Sequence, residues 1–300
     1  MNKPVSAVVI VGCGHIGTLV AQQYLQQDRS VHALVRSTAS AAALHQIGIN
    51  AEVLDLSAPV DRHTLPLADS ELFYFAPPPG QGREDSHMQH FLAALLTQQL
   101  IPRRIVYIST TGVYGDCQGR WIDESEPVKP AADRAYRRLD AEQQLQAFAE
   151  RNGAEAIILR VAGIYGPNKL PLQRLQQQLP VVAESEAPFT NRIHADDLVQ
   201  IAMQAMRLGQ HGGIYHACDS QPGTMTDYFK QVAKRAGLPA PPEISLAQAQ
   251  QQLSAGMLSY MQESRRLSNA RTLRELQVSL RYPTLQDGLD SCFKETAESP

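Results

Sequence analysis

Tryptophan occurs once in these 300 residues, cysteine four times, and no charge of one sign dominates. No apolar run approaches the roughly eighteen residues that a membrane-spanning helix needs, so a membrane role is not expected. The four cysteines (Cys13, Cys117, Cys218 and Cys292) are scattered, with no C-x-x-C and no metal-ligand spacing. That excludes a disulfide scaffold and a cysteine-rich metal centre, and it fits reduced thiols in a cytoplasmic protein. With 27 Lys and Arg against 30 Asp and Glu, the net charge is −3. Such a balance gives no electrostatic footprint for nucleic acid or an acidic membrane surface. The short apolar stretch after Lys3 is too brief for a signal peptide and lacks a small-residue cleavage pattern. No internal repeat is present. What remains is a globular chain, 43% hydrophobic and 19% charged, whose expected partner is a small molecule.

The chemistry is written first in Val9-Ile-Val-Gly-Cys-Gly-His-Ile-Gly17. Val5 and Ala7 to Val11 read as a strand buried on both faces. Ile16, Leu19, Val20 and Tyr24 then recur at helical spacing. Three glycines in G-x-G-x-x-G spacing therefore fall in a strand-to-helix turn. Gly12 permits the tight turn, Gly14 lets the backbone approach a pyrophosphate, and Gly17 lets helix and strand pack closely. His15 and Ile16 open the helix, whose N-terminus offers amides and partial positive charge to phosphates. This pattern in this context predicts dinucleotide binding.

Which dinucleotide is read at the end of the next strand, Val31–Val35. An acid there would take a ribose 2′-hydroxyl, whereas a cation accommodates the 2′-phosphate of NADP. Here stands Arg36, followed by Ser37 and Thr38. The reading leans to NADP(H), with NAD(H) as the alternative and a solvated surface arginine as the plain explanation. Asp55 closes the third strand, either to bond an adenine amino group or as a turn carboxylate. Ala76-Pro-Pro-Pro-Gly80 follows the fourth strand. Ala76 and Pro77 would wall the cofactor, unless the segment is only a rigid turn.

Strand and helix patterns alternate through the first half, which predicts an α/β fold with a parallel sheet wrapped by helices. Expected strands are Val5–Val11, Val31–Val35, Glu52–Leu54, Leu72–Ala76, Arg104–Ser109, Ala156–Arg160 and Ile214–Ala217. Helices are expected at His87–Leu96 and from about Ala132 to Glu150, and Gly48 marks the end of another. After Gly166-Pro167 the rhythm breaks, and from Pro222 helices and proline-rich loops dominate. The plan is a Rossmann-type doubly wound sheet in order 3-2-1-4-5-6-7, over residues 1–166 and 190–221. A small discontinuous C-terminal cap, residues 167–189 and 222–300, would lie over the carboxyl ends of the strands and bind substrate.

Tyr107-Ile-Ser-Thr-Thr-Gly-Val-Tyr-Gly115, Leu159-Arg-Val-Ala-Gly-Ile-Tyr-Gly-Pro167 and Asn191-Arg-Ile-His-Ala-Asp-Asp-Leu198 follow the glycine turn in order. Together they resemble the extended short-chain dehydrogenases/reductases, the NAD(P)-dependent epimerase/dehydratase family. Ser264–Arg271 and Arg281-Tyr-Pro283 look most like its atypical YeeZ-like branch. The resemblance implies a hydroxyl at Thr110 that holds the substrate oxygen, with Tyr136 near the family's acid/base tyrosine. It implies substrate contacts from Thr111, Tyr165 and Arg192, the last suited to a phosphate. It also implies pairing of two copies through the helices beside strands four and five.

One position departs from the pattern. The family sets a lysine four residues after its tyrosine, whose charge favours phenolate; here that place holds Asp140. A carboxylate beside a phenol raises its pKa. Three readings follow: Tyr136 is an ordinary helix residue, another group completes the catalysis, or the chain binds its cofactor without turnover. Arg192 has the alternative of an ion pair with Asp196 or Asp197, and His194 that of a satisfied core histidine. Trp121 either floors a pocket or pins its loop. The expected function is an NAD(P)-dependent oxidoreductase or epimerase/dehydratase-like enzyme, acting on a carbonyl or hydroxyl of a small, sugar- or nucleotide-sugar-derived substrate. Its rival is a non-catalytic NADP(H)-binding redox sensor.

Overall fold

The computed structural model of the chain describes residues 7–60, 66–253 and 255–294. Seven strands form one sheet: β1 (Val8–Val11), β2 (Val31–Val35), β3 (Asn50–Val53), β4 (Glu71–Tyr74), β5 (Arg104–Thr110), β6 (Glu155–Val161) and β7 (Ile214–Ala217). They lie in the order β7-β6-β5-β4-β1-β2-β3. The pairings of β1 with β2 and β4, of β2 with β3 and of β4 with β5 are parallel. This is the doubly wound Rossmann-type sheet that the alternating pattern predicts. Val8 to Val11 are almost fully buried, as a central strand covered on both faces requires. Val5, placed in this strand by the sequence reading, lies outside the described residues.

Four helices accompany the first five strands: α1 (His15–Leu25), α2 (Thr38–Gln46), α3 (Ser86–Gln98) and α4 (Asp133–Asn152). Ser37 caps α2 by accepting the Ser40 amide at 3.2 Å, and Asp85 caps α3 through the Met88 amide at 3.0 Å. Gly48, just beyond α2, has φ +78°, the left-handed geometry that lets the chain turn away after a helix.

Packing divides the chain into two units. The first comprises residues 1–113, 133–160 and 199–215; the second, 114–132, 161–198 and 216–300. In the first, apolar side chains of β1, β4 and β5, such as Val9, Leu72, Tyr74 and Ile105, pack with Phe91 and Leu95 of α3 and Leu145 of α4. One buried charge pair runs through it. Glu142 of α4 accepts from Ser109 of β5 and pairs with Arg160 of β6 at 2.7 Å. These carboxylate and guanidinium groups fasten α4 to two strands at once.

The second unit has its own core, formed by Tyr165, Leu175, Val181, Tyr228, Val232 and Leu289. Its main helices are α5 (Ala195–Leu208, shared with the first unit), α6 (Met225–Arg235) and α7 (Leu285–Lys294). Residues 114–132 group here because strand Trp121–Ile122 pairs in parallel with Arg266–Leu267. Within the same unit the Tyr114 hydroxyl meets Nε2 of buried His216 at 2.6 Å. His216 Nδ1 lies 2.9 Å from the Ser268 carbonyl, which can only accept. A proton therefore sits on Nδ1.

Candidate functional site: a dinucleotide turn and the end of strand β5

β1 delivers the chain into the glycine turn, and each glycine meets a different constraint. Gly12 has φ +81°, and a Cβ there would lie 2.3 Å from the Ala76 amide nitrogen. The turn thus fits only because β1 and the end of β4 touch backbone to backbone. At Gly17 a Cβ would come 3.1 Å from Ile10 Cγ2, so the glycine sets the close packing of α1 on β1. Gly14 differs: nothing lies within 4 Å of the same point, so the bare backbone faces open space. It is also the N-cap of α1 and supplies no side-chain cap, and no acidic residue occupies the first turn. The amides of Ile16 and Gly17 therefore point toward a place that an anion suits. His15, exposed, starts the helix beside them. Cys13 is buried in the turn, where desolvation pushes its thiol up to about 11, the mark of a space-filling side chain and not a nucleophile.

Around this turn stand the other residues read from the sequence. Arg36 is exposed at the end of β2, and Asp55, also exposed, follows the end of β3. Ser57 donates its amide to Asp55 at 2.9 Å. That bond, the Ser57 hydroxyl and the nearby charges of His87 and Arg36 hold the Asp55 carboxyl below its usual range. Arg36 thus has a carboxylate in its field. Ser37, expected as a hydroxyl donor beside it, is occupied in capping α2. Ala76 is buried against Gly12, and Pro77 is exposed with its carbonyl 2.9 Å from His87 Nδ1.

The second group of residues gathers where β5 ends. Thr110 is half-buried, and its Oγ1 accepts the Gly112 amide at 3.2 Å. A Cβ on Gly112 would lie 3.5 Å from Thr110 Oγ1 and 3.6 Å from Ala135 Cβ, which brings the first turn of α4 alongside Thr110. Thr111 is buried. Tyr136 is half-buried on α4, its ring under the Arg83 guanidinium at 4.4 Å, and its hydroxyl bonds to no described residue. Arg83 in turn pairs with Asp133 at 2.8 Å. Asp140, the acid in place of a lysine, accepts the Asp85 amide at 2.7 Å and the Gln144 side chain at 2.6 Å.

Arg138 carries no assigned role in the reading of the sequence. On α4 it faces away from Tyr136 and toward β5. Its Nη1 donates to the Ile108 carbonyl at 3.0 Å and meets the Tyr107 hydroxyl at 3.2 Å. The signal available was the helical period: Arg138, Glu142 and Leu145 share one side of α4, and Leu145 is apolar.

Tyr165 and Arg192 belong to the second unit. Tyr165 is fully buried in its core, and desolvation holds its phenol far above the ordinary value. Arg192 does not pair with Asp196 or Asp197. Asp197 instead accepts the amides of Arg281 and Tyr282 at 2.7 and 2.9 Å. The Arg192 guanidinium lies 4.2 Å from the Tyr228 ring centre, with Nη2 directed to Met225 Sδ and Nη1 where a Cβ on Gly163 would stand. Its Nε is buried and unpartnered. His194 is a satisfied core histidine: Nδ1 accepts the Asp196 amide at 3.2 Å and Nε2 meets Ser291 Oγ at 3.3 Å. Trp121 is 54% exposed, with the Arg266 guanidinium 5.7 Å from its ring.

Among the described residues no helix is long and apolar enough to cross a membrane. The chain is 24% identical to protein YeeZ of Escherichia coli K12 over 283 residues, spanning 92% of this chain and 96% of that one. A shorter stretch of 121 residues is 26% identical to human dTDP-D-glucose 4,6-dehydratase, covering 38% of this chain and 35% of that one. Among solved structures, a conserved protein of unknown function from Silicibacter pomeroyi DSS superposes with a TM-score of 0.85. It is 26% identical, with 97% of this chain and 99% of that one covered. The UDP-glucuronic acid 4-epimerase of Bacillus cereus, solved with NAD, shares the fold at a TM-score of 0.72 and 16% identity, covering 96% and 99%. Residues 8–218, from β1 to the end of β7, match the NAD dependent epimerase/dehydratase family, and the chain belongs to that family.

Proposed function

We propose that the chain is a nicotinamide-dinucleotide-dependent enzyme that acts on a hydroxyl or carbonyl of a sugar-derived substrate, with NADP(H) preferred. The observation that carries this reading is the glycine turn. Gly12 is wedged against Ala76, Gly14 is bare, and the uncapped amides of α1 lie beside it. A pyrophosphate suits that cradle, since it needs backbone approach and positive potential and no bulky side chain. Arg36 would take a 2′-phosphate, with Asp55 in its field limiting how strongly the site discriminates against NAD(H). Bound there, the nicotinamide would supply or accept a hydride. Thr110, whose Oγ1 accepts from Gly112, keeps its own proton to donate to a substrate oxygen. Tyr136 is the candidate proton donor, its hydroxyl not engaged by any described residue. The UDP-sugar and dTDP-sugar enzymes among the relatives support a nucleotide-sugar-derived substrate. Pairing of two copies through α3 and α4, to be checked by sedimentation, is part of the same reading.

A second reading has its own observation. α4 carries no lysine, and Asp140 is held by Asp85 and Gln144. Without a cation one turn from Tyr136, the protein would bind dinucleotide and report it, with no turnover.

The test is a panel of UDP- and dTDP-sugars offered with either dinucleotide, followed by nicotinamide fluorescence and product chromatography. Turnover that falls sharply in Thr110→Val and Tyr136→Phe supports the enzyme with these roles. Dinucleotide binding with no turnover across the panel favours the second reading.

A further inference from the structure

Helix α4 presents two polar stripes to two different neighbours. Asp133, Tyr136, Arg137, Asp140 and Gln144 recur at spacings of three and four residues, hence on one face. Every one of them engages the loop before α3. Asp133 and Tyr136 hold Arg83, and Arg137 donates to the Gly82 carbonyl. Asp140 and Gln144 hold the Asp85 backbone. The other stripe holds Arg138, Ala141, Glu142, Leu145 and Ala149 and faces the sheet, where all but Arg138 are buried. At about 100° per residue, Tyr136 lies about 200° round the helix from Arg138.

Arg138 is fixed by one edge only. Nη1 is anchored to the Ile108 carbonyl and Tyr107 hydroxyl, both neutral. No described carboxylate forms an ion pair with it; Glu142, one turn on, is held by Arg160 and Ser109. Asp85 lies in its field without an ion pair: burial pushes that carboxyl up, and the Met88 amide and the Arg138 charge pull it back. Nε and Nη2, the side-on pair that grips two coplanar oxygens, bond to no described residue. Arg138 is half-buried and its anchor is two residues before Thr110.

We propose that the Nε/Nη2 edge of Arg138 is an oxyanion site at the end of β5, receiving a carboxylate or phosphate of the substrate beside Thr110. A guanidinium stays charged at neutral pH and exchanges no proton, so the role is binding and alignment. The inference rests on the dinucleotide-dependent reading for the identity of the neighbouring ligand, and on Arg138 alone for the anion.

The test uses the full chain, with and without saturating NADPH. It is titrated with sodium malonate or inorganic phosphate against chloride at matched ionic strength, reading melting temperature. The expected result is a rise with malonate or with phosphate, which separates carboxylate from phosphate as the group received. Arg138→Lys, which keeps the charge and loses the fork, should weaken the response by about tenfold, and Arg138→Gln should abolish it. NADPH affinity should stay as in wild type in both. If Arg138→Gln does not fold, the lysine variant carries the comparison. A response equal in wild type and variants overturns the proposal, as does none beyond chloride. Loss of NADPH affinity with Arg138 also overturns it, since the fork would then hold the dinucleotide. A wild type that ignores NADPH yet answers malonate or phosphate through Arg138 sinks the dinucleotide reading and keeps the anion site.

Discussion

Asp140 Oδ2 accepts the backbone amide of Asp85 at 2.7 Å, so the acid one turn beyond Tyr136 is committed to the start of α3. Gln144 shares the same oxygen at 2.6 Å. The Asp140 carboxylate belongs to a strap between α4 and the loop before α3. Replacing it by alanine should lower stability by about 1.5–3 kcal/mol, the range for a hydrogen bond to a charged group. NADPH affinity should hold. Chemical denaturation together with an NADPH titration checks both halves. A loss of dinucleotide binding at unchanged stability would place Asp140 in the site instead.

The two open questions of the glycine turn separate cleanly by substitution. Gly12→Ala puts a methyl 2.3 Å from the Ala76 amide nitrogen at φ +81°, where neither backbone can yield. The strain alone is worth about 1–3 kcal/mol, so both stability and dinucleotide binding should fall. Gly14→Ala meets nothing within 4 Å and should fold as wild type while binding NADPH more weakly. Equal behaviour of the two variants in melting and titration would contradict this account of the turn.

The Glu142–Arg160 pair is buried to 2% and 5% side-chain exposure, so removing one partner strands the other. Arg160→Met should destabilise by about 3–5 kcal/mol, and Arg160→Met with Glu142→Leu should recover much of that loss. Urea midpoints of the two variants decide it. A double variant as unstable as the single one would mean that the pair contributes more than its own desolvation.

Stability should also carry a pH signature from Asp219. Burial pushes its carboxyl to about 7, against an ordinary value of 3.8, and Oδ2 has no partner. Because the folded-state pKa is raised, the folded protein binds the extra proton more tightly than the unfolded chain. This residue therefore favours folding at low pH, and its contribution is lost as pH rises from about 4 to 7. Asp219→Asn keeps an oxygen for the Gln221 amide and removes the titration. The slope of melting temperature with pH over that window should be shallower in the variant; an unchanged slope assigns it to other groups.

Much of the first unit was legible because its signals are local. Val31–Val35 forms where its mostly apolar run stands, and Gly48 turns the chain as a glycine after a helix should. The glycine turn was legible for the same reason: strand, turn and helix follow one another within a dozen or so residues. The strand pair Trp121–Ile122 with Arg266–Leu267 was not, since two residues carry no alternation and the partner lies far along the chain. The roles of the α4 polar residues were hidden in the same way. Tyr136 and Asp140 share one face by spacing, but only the placement of Arg83 and Asp85 shows what that face holds. Arg138 acquires its meaning from the Ile108 carbonyl, thirty residues earlier.

The central claim is that the turn at Gly12, Gly14 and Gly17 binds a dinucleotide with Arg36 at its 2′-phosphate. Fluorescence titration with NADPH and NADH, on wild type and Arg36→Ala, tests it most directly. The account predicts tighter binding of NADPH than NADH in wild type, with the variant losing affinity for NADPH and keeping that for NADH. Failure of wild type to bind either nucleotide would make the turn purely structural and contradict the enzyme reading at its root.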